Sequence, residues 1–138
     1  MNAFVDTNVI LDVLLDRKPF AADSRKVWFL AERGKIKGFV SAVTFPNIYY
    51  IVRRLKNAKD AAAMMIMLRN TFSVALLDEQ IMNQAIDAKF ADFEDAVQFY
   101  SALRADAVCL ITRDVSHYPA SSIPILTPAE FLASHSFE

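Results

Sequence analysis

Apolar residues along the chain fall into two kinds of run. Short unbroken runs, such as Ala3-Phe4-Val5, Phe39-Val40 and Ala107-Val108-Cys109-Leu110-Ile111, lack the alternation of a sheet with one wet face. They read as strands covered on both sides. Between them, apolar positions recur at three- and four-residue intervals, the period of a helix. The pattern predicts strands over residues 2–5, 37–41, 73–77, 107–111 and 123–126.

The intervening helices are marked by their ends. Asp6-Thr7-Asn8 precedes an apolar run from Val9 to Leu15 and starts a first helix. Pro19 marks the start of a second and Gly34 its stop, with Phe20, Val27, Leu30 and Ala31 on one face and Trp28 beside them. Ser41 or Thr44 caps a third, with Pro46 in its first turn and Ile48, Tyr49, Ile51, Val52 and Leu55 along it. A fourth covers residues 58–70 and is predicted to form a hairpin with the third. Asp78 caps a fifth, Asp92-Phe93-Glu94-Asp95 opens a sixth, and Thr127-Pro128-Ala129-Glu130 is a capping-box-like start to a last one. Strands alternating with helices predict an α/β, three-layer α/β/α fold with a mainly parallel sheet. The chain shows no repeat and no Gly/Ser/Pro-rich linker, so residues 1–138 read as a single domain.

Composition narrows the chemistry. Two glycines, Gly34 and Gly38, cannot supply a P-loop or a Rossmann fingerprint. A lone cysteine, Cys109, excludes an internal disulfide and a Cys-rich zinc site and reads as a buried, inert thiol. His117 and His135 lack ligand spacing and read as surface residues. The longest apolar run, residues 61–68, is too short to span a bilayer. The strand-like start carries an acid in place of a basic signal region, so the expectation is a soluble cytoplasmic protein. Net charge is −1, but residues 1–70 hold 12 Lys+Arg against 6 Asp+Glu and residues 71–138 hold 3 against 10. That asymmetry suits a polyanion met by an acid-bound cation, and equally suits ordinary solvated faces.

Function in open α/β sheets collects beyond the carboxyl ends of the strands. Asp6 follows the first strand and Asp114 the fourth. Asp92 and Asp95 are three apart in the first turn of the sixth helix, on one face. Carboxylates brought together from these stretches repel unless a cation or protons intervene. Hard oxygen donors suit magnesium or manganese, ions that serve phosphodiester cleavage. Each acid also has a plain role as a cap or turn residue. Asp12 and Asp16 read as solvated, and Glu94 as pointing to another face.

The motifs resemble those of PIN-domain proteins. Val5-Asp6-Thr7-Asn8-Val9-Ile10-Leu11-Asp12 is similar to the family's opening motif. Asp92-Phe93-Glu94-Asp95-Ala96 is similar to its third acidic motif and Ile111-Thr112-Arg113-Asp114 to its fourth. Thr127-Pro128-Ala129-Glu130-Phe131 looks like its closing segment. The resemblance implies a VapC-type toxin ribonuclease using Mg2+ or Mn2+, dimeric and held inactive by a small antitoxin. It implies metal at Asp6, Asp95 and Asp114, Asp92 as an accessory acid, and Asn8 and Thr112 as orienting residues. One position departs: where the family usually carries a glutamate, in Ser41-Ala42-Val43-Thr44-Phe45-Pro46-Asn47-Ile48, this chain has Asn47. A neutral amide is no base and weakens metal affinity.

Three functional readings follow. The first is a divalent-metal-dependent endoribonuclease, with Arg17, Lys18, Arg53, Arg54 and Lys56 as phosphate contacts. The second is a PIN-like module that binds RNA or protein without cutting, because of Asn47. The third, a haloacid-dehalogenase-like phosphatase with Asp6 as nucleophile, needs a second acid where Asn8 stands. Met64, Met65, Ile66 and Met67 exceed one core face, which predicts either a homodimer or antitoxin surface or a helix buried all round.

Overall fold

The computed structural model describes residues 1–119 and 121–137. Five strands, β1 (Asn2–Val5), β2 (Lys37–Ser41), β3 (Ser73–Ala75), β4 (Cys109–Ile111) and β5 (Ile125–Leu126), form one sheet in the order β3-β2-β1-β4-β5. All four pairings are parallel, and Phe4 at the centre stands between Phe39 and Leu110. Helices α1 (Thr7–Leu14), α2 (Ala21–Glu32), α3 (Thr44–Leu55) and α4 (Ala58–Thr71) lie on the path from β1 to β3. α5 (Glu79–Ala88) and α6 (Phe93–Arg104) precede β4, and α7 (Pro128–Ser134) follows β5.

Alternate strand residues feed two cores. Ala3, Val5, Val40, Cys109 and Ile111 pack with Val9 and Ile10 of α1, Val27 of α2, Ile48 of α3, Leu68 of α4 and Phe131 of α7. Phe4, Phe39 and Leu110 face the other way, onto Phe99 and Ala102 of α6. Right-handed crossovers explain this division. From β1 through β2 to β3 the chain moves one way along the sheet; to reach β4 it returns past β1, so its connecting helices fall on the opposite face. The order reverses between β1 and β4, which leaves a crevice beyond their carboxyl ends. The three-layer parallel architecture is the one the sequence predicts.

Several element ends differ from the sequence pattern. α2 starts at Ala21, two residues after Pro19. β3 stops at Ala75, because Leu76 turns outward, 74% exposed, and Asp78 already caps α5. β4 begins at Cys109; Val108 donates its N–H to Asn2 but leaves its side chain half exposed. β5 holds only two residues. Gly34 closes α2 with φ +72°, a left-handed value that a Cβ disfavours. Gly38 is needed for space: a Cβ there would lie 2.7 Å from Phe72 Cδ1.

α3 and α4 pack as the expected hairpin. Met64 and Met65 join the core, but Ile66 and Met67 stay about half exposed. The fourth helix is therefore not buried on all sides within one chain. Among the described residues no helix is long and apolar enough to cross a membrane.

Asp12 corrects the sequence reading. It is fully buried, with Arg113 Nε 3.2 Å from one carboxylate oxygen and Arg17 3.9 Å from the other. The polar side of α1 faces the start of α2, the start of α7 and the segment after β4, where the sequence pattern had placed solvent. Burial raises the Asp12 pKa, and the two arginines oppose that shift. Asp16 is exposed, as expected, and pairs with Arg25.

Candidate active site

The crevice beyond β1 and β4 is a cavity of about 500 Å3. Asp6, Asn8, Asn47, Asp92, Glu94, Asp95, Gln98, Asp114 and His117 all line it. Three features of the chain gather them. β1 ends one residue before Asp6, and β4 ends just before Thr112-Arg113-Asp114. The N-termini of α3 and α6 close the remaining sides.

Asp6 is the most constrained side chain. It caps α1, accepting the Asn8 N–H on Oδ1 at 3.3 Å. The Gln98 side-chain amide donates to the same oxygen at 3.0 Å. On Oδ2 it accepts from Thr112 Oγ1 at 2.8 Å and from the Tyr118 hydroxyl at 3.0 Å. Four donors occupy the acceptor positions of one carboxylate. Thr112 also accepts the Asp114 N–H at 3.1 Å, and Asn8 Nδ2 donates to Asp114 Oδ2 at 3.1 Å. The Asn8 carbonyl in turn accepts the Arg113 N–H at 3.2 Å. Asn8 and Thr112 thus fix the orientations of Asp6 and Asp114 together.

α6 brings the other acids. Asp92 is its N-cap, accepting the Asp95 N–H at 3.0 Å. Asp95 faces inward: its Oδ1 lies 3.4 Å from the Tyr118 hydroxyl and its Oδ2 3.7 Å from His117. Burial, then the charges of Asp6 and Asp92, push its pKa up to about 6, with His117 pulling the other way. Burial and the flanking charges of Asp6 and Asp95 also raise the Tyr118 phenol, which stays a neutral donor.

Glu94 corrects a second sequence reading. It does not point away from the site. Its Oε1 accepts from Thr7 Oγ1 at 3.3 Å, and Asn47 lines the same cavity. Burial raises its pKa, and the neighbouring Asn47 and Thr7 side chains oppose the rise. His117, exposed as expected, still reaches Asp95 through its ring.

Gln98 and Tyr118 were not singled out from the sequence, and Glu94 was read as facing elsewhere. Gln98 carried a usable signal, since it lies one helical turn after Asp95 and Glu94. Tyr118 comes from the segment after β4 and had none. The proposed phosphate contacts lie elsewhere: Arg17, Lys18, Arg53, Arg54 and Lys56 are not among the residues lining the cavity.

The donor set has the chemistry for a hard divalent cation. Five carboxylates and three side-chain amides line the cavity, with His117 as the sole ionisable cationic side chain among the described lining residues. The side chains are not arranged as a finished cage. Among the described residues no three of His, Cys, Asp or Glu are grouped to hold an ion as they stand. For Asp6 to serve as a ligand, one of its four donors must release it.

An α/β sheet with this strand order and an acidic crevice at its switch point defines a class of compact acid-site domains. A family profile for the PIN domain matches residues 2–116, and the chain belongs to the PIN-domain family. Solved structures agree in fold. VapBC2 from Rickettsia felis, bound to a promoter DNA fragment, superposes with TM-score 0.69 at 10% identity, covering 91% of this chain and 97% of that one. VapBC-1 from nontypeable Haemophilus influenzae gives 0.68 at 18% identity, covering 94% and 99%. VapC20 of Mycobacterium tuberculosis, a sarcin-ricin loop cleaving toxin, gives 0.62 at 16% identity, covering 78% and 86%. A comparison with curated protein sequences finds no match.

Proposed function

We propose that the chain is a divalent-metal-dependent endoribonuclease acting as the toxin of a toxin–antitoxin pair. The observation that carries this reading is the convergence of Asp6, Asp92, Glu94, Asp95 and Asp114 on one cavity that a single histidine faces. So much negative charge in one half-closed space is stable only with protons or a cation. Asp6, Asp95 and Asp114 hold Mg2+ or Mn2+, and Asp92 adds a further carboxylate near solvent. The bound ions supply an activated water and stabilisation of the leaving oxygen. Asn8 and Thr112 keep the Asp6 and Asp114 carboxylates aimed, and Gln98 holds Asp6 from the α6 side.

The RNA approaches along α3. Tyr50, 64% exposed at the cavity rim, offers a ring for an unpaired base. Arg53 and Arg54 lie one turn further along the same helix, with Lys56 at its end, placed for backbone phosphates. Arg17 and Lys18 extend the basic surface from the end of α1. A small antitoxin and a second copy of the chain are the expected partners in the cytoplasm. The half-exposed Ile66 and Met67 of α4 are the apolar surface offered to them.

The test uses purified, folded, antitoxin-free protein with Mn2+ or Mg2+ and single-stranded RNA. Cleavage that disappears in Asp6→Asn and Asp114→Asn is expected. Asn47 favours a second reading, a module that binds RNA or a protein without cutting it. RNA retention with no cleavage by the folded unaltered protein, at either metal, selects that reading.

A further inference from the structure

A carboxylate has four lone-pair positions, and on Asp6 four donors fill them. An acid so enclosed offers nothing to a cation until one donor leaves. The four are not equally free to do so.

The Asn8 N–H belongs to the first turn of α1 and moves only with that helix. Gln98 is buried, and its Oε1 accepts the Thr7 N–H at 3.0 Å. Turning its amide away from Asp6 breaks both bonds. Thr112 is fully buried, and its Oγ1 accepts the Asp114 N–H at 3.1 Å and Asn8 Nδ2 at 3.4 Å. With both lone pairs used, its proton is fixed toward Asp6.

Tyr118 differs. Its hydroxyl has two carboxylate acceptors, Asp6 Oδ2 at 3.0 Å and Asp95 Oδ1 at 3.4 Å, and one proton to give. The ring packs in the second core, edge-on to Phe90, which holds the oxygen in place. Rotation of the O–H alone can therefore pass the hydrogen bond from one acid to the other. No buried donor is left unpaired by that exchange, whereas releasing Gln98 or Thr112 leaves several polar groups without partners.

We infer that Tyr118 is the donor that yields when Asp6 takes up a cation, and that its hydroxyl then holds Asp95 through Oδ1. Tyr118 is thus a positioning residue that couples the two acids from the segment after β4. This inference rests on the metal-dependent reading above.

The experiment measures Mn2+ affinity of the full chain by calorimetry and the melting temperature with and without Mn2+. Tyr118→Phe keeps the ring and removes the donor that must yield, so affinity should rise about fivefold. The lost bond supports the fold only while Asp6 is not bound to metal. Tm should therefore fall by about 5 °C without Mn2+ and by only about 1 °C at saturating Mn2+. A hydroxyl with a purely structural role would lower Tm equally in both conditions. Thr112→Val also takes a donor from Asp6 Oδ2, but it strips the Asp114 N–H of its acceptor, and affinity should fall. Tyr100→Phe, whose ring packs on Phe90 and Phe99, should change neither reading.

If Tyr118→Phe binds Mn2+ no more tightly than the unaltered chain, or loses the same Tm in both conditions, the inference is overturned. The metal-dependent reading then still stands if Asp6→Asn abolishes binding. A gain in Thr112→Val equal to that in Tyr118→Phe overturns the assignment to Tyr118. If the unaltered protein binds neither Mn2+ nor Mg2+, both the inference and the reading beneath it fall.

Discussion

The buried pair of Asp12 and Arg113 ties α1 to the segment that carries Asp114, and its removal should be the costliest single change outside the apolar core. Asp12 is fully buried, with Arg113 Nε at 3.2 Å, while Arg113 itself is 28% exposed and stacks over the Phe20 ring at 4.2 Å. At an effective dielectric of about 20, unit charges at that separation attract by about 5 kcal/mol. Desolvation consumes part of this, so what matters is which partner is left behind. Arg113→Met leaves a carboxylate with no exposed surface and only Arg17 at 3.9 Å. A loss of about 4 kcal/mol is expected. Asp12→Leu leaves a guanidinium that still has Phe20 and some water, so it should cost about 2 kcal/mol.

Urea unfolding at pH 7 reads both values. With a slope of about 2 kcal/mol per molar, Arg113→Met should lower the midpoint by about 2 M. The double variant Asp12→Leu with Arg113→Met removes both charges and should cost less than Arg113→Met alone. The loss in Arg113→Met should also shrink in acid, since protonating the stranded carboxylate relieves it. A midpoint shift below about 0.5 M in Arg113→Met, or a double variant equal to the sum of the singles, would show that the arginine does not compensate Asp12.

Three further changes test other parts of the structure. Asp95, with its pKa raised to about 6, stabilises the fold below pH 3.8 and loses that contribution as pH rises through 6. Asp95→Asn should therefore raise metal-free stability at pH 7 by about 2 kcal/mol and have little effect at pH 4, a contrast that paired thermal melts can deny. Gly38→Ala puts a Cβ 2.7 Å from Phe72 Cδ1 and should cost about 1–3 kcal/mol by urea titration; no loss would mean that Phe72 moves freely. Cys109 is buried and its thiol pushed up to about 11, so alkylation at pH 8 should track unfolding; rapid reaction of the native chain would contradict its burial.

How much was legible in the sequence depended on where each signal was local. The strands of the sheet centre could be read because parallel strands covered on both faces need unbroken apolar runs, and Phe4, Val5 and Leu110 lie in such runs. The outer strands were overestimated: Leu76 is as apolar as its neighbours, and only the turn into α5 sends it to solvent. Asp6, Asp92 and Asp114 stood out because each directly follows a strand or caps a helix. Asp12 did not, because its burial comes from α2, α7 and Arg113, none of which is near it in sequence.

Glu94 shows why helix-face arithmetic fails at a site like this one. The three- and four-residue rule sorts side chains around the flank of a helix, and it sets Glu94 about 100° from Asp95. The cavity, however, lies off the N-terminal end of α6, not along its flank. In the first turn, side chains from several angular positions can lean past the end of the helix, and the bond from Thr7 holds Glu94 among those that do. The first turns of α3 and α6 both open onto the crevice between β1 and β4, so a carboxylate on either one reaches the same space. For a site built on converging helix ends, the residues that share the crevice matter more than the position in the chain from which each acid comes.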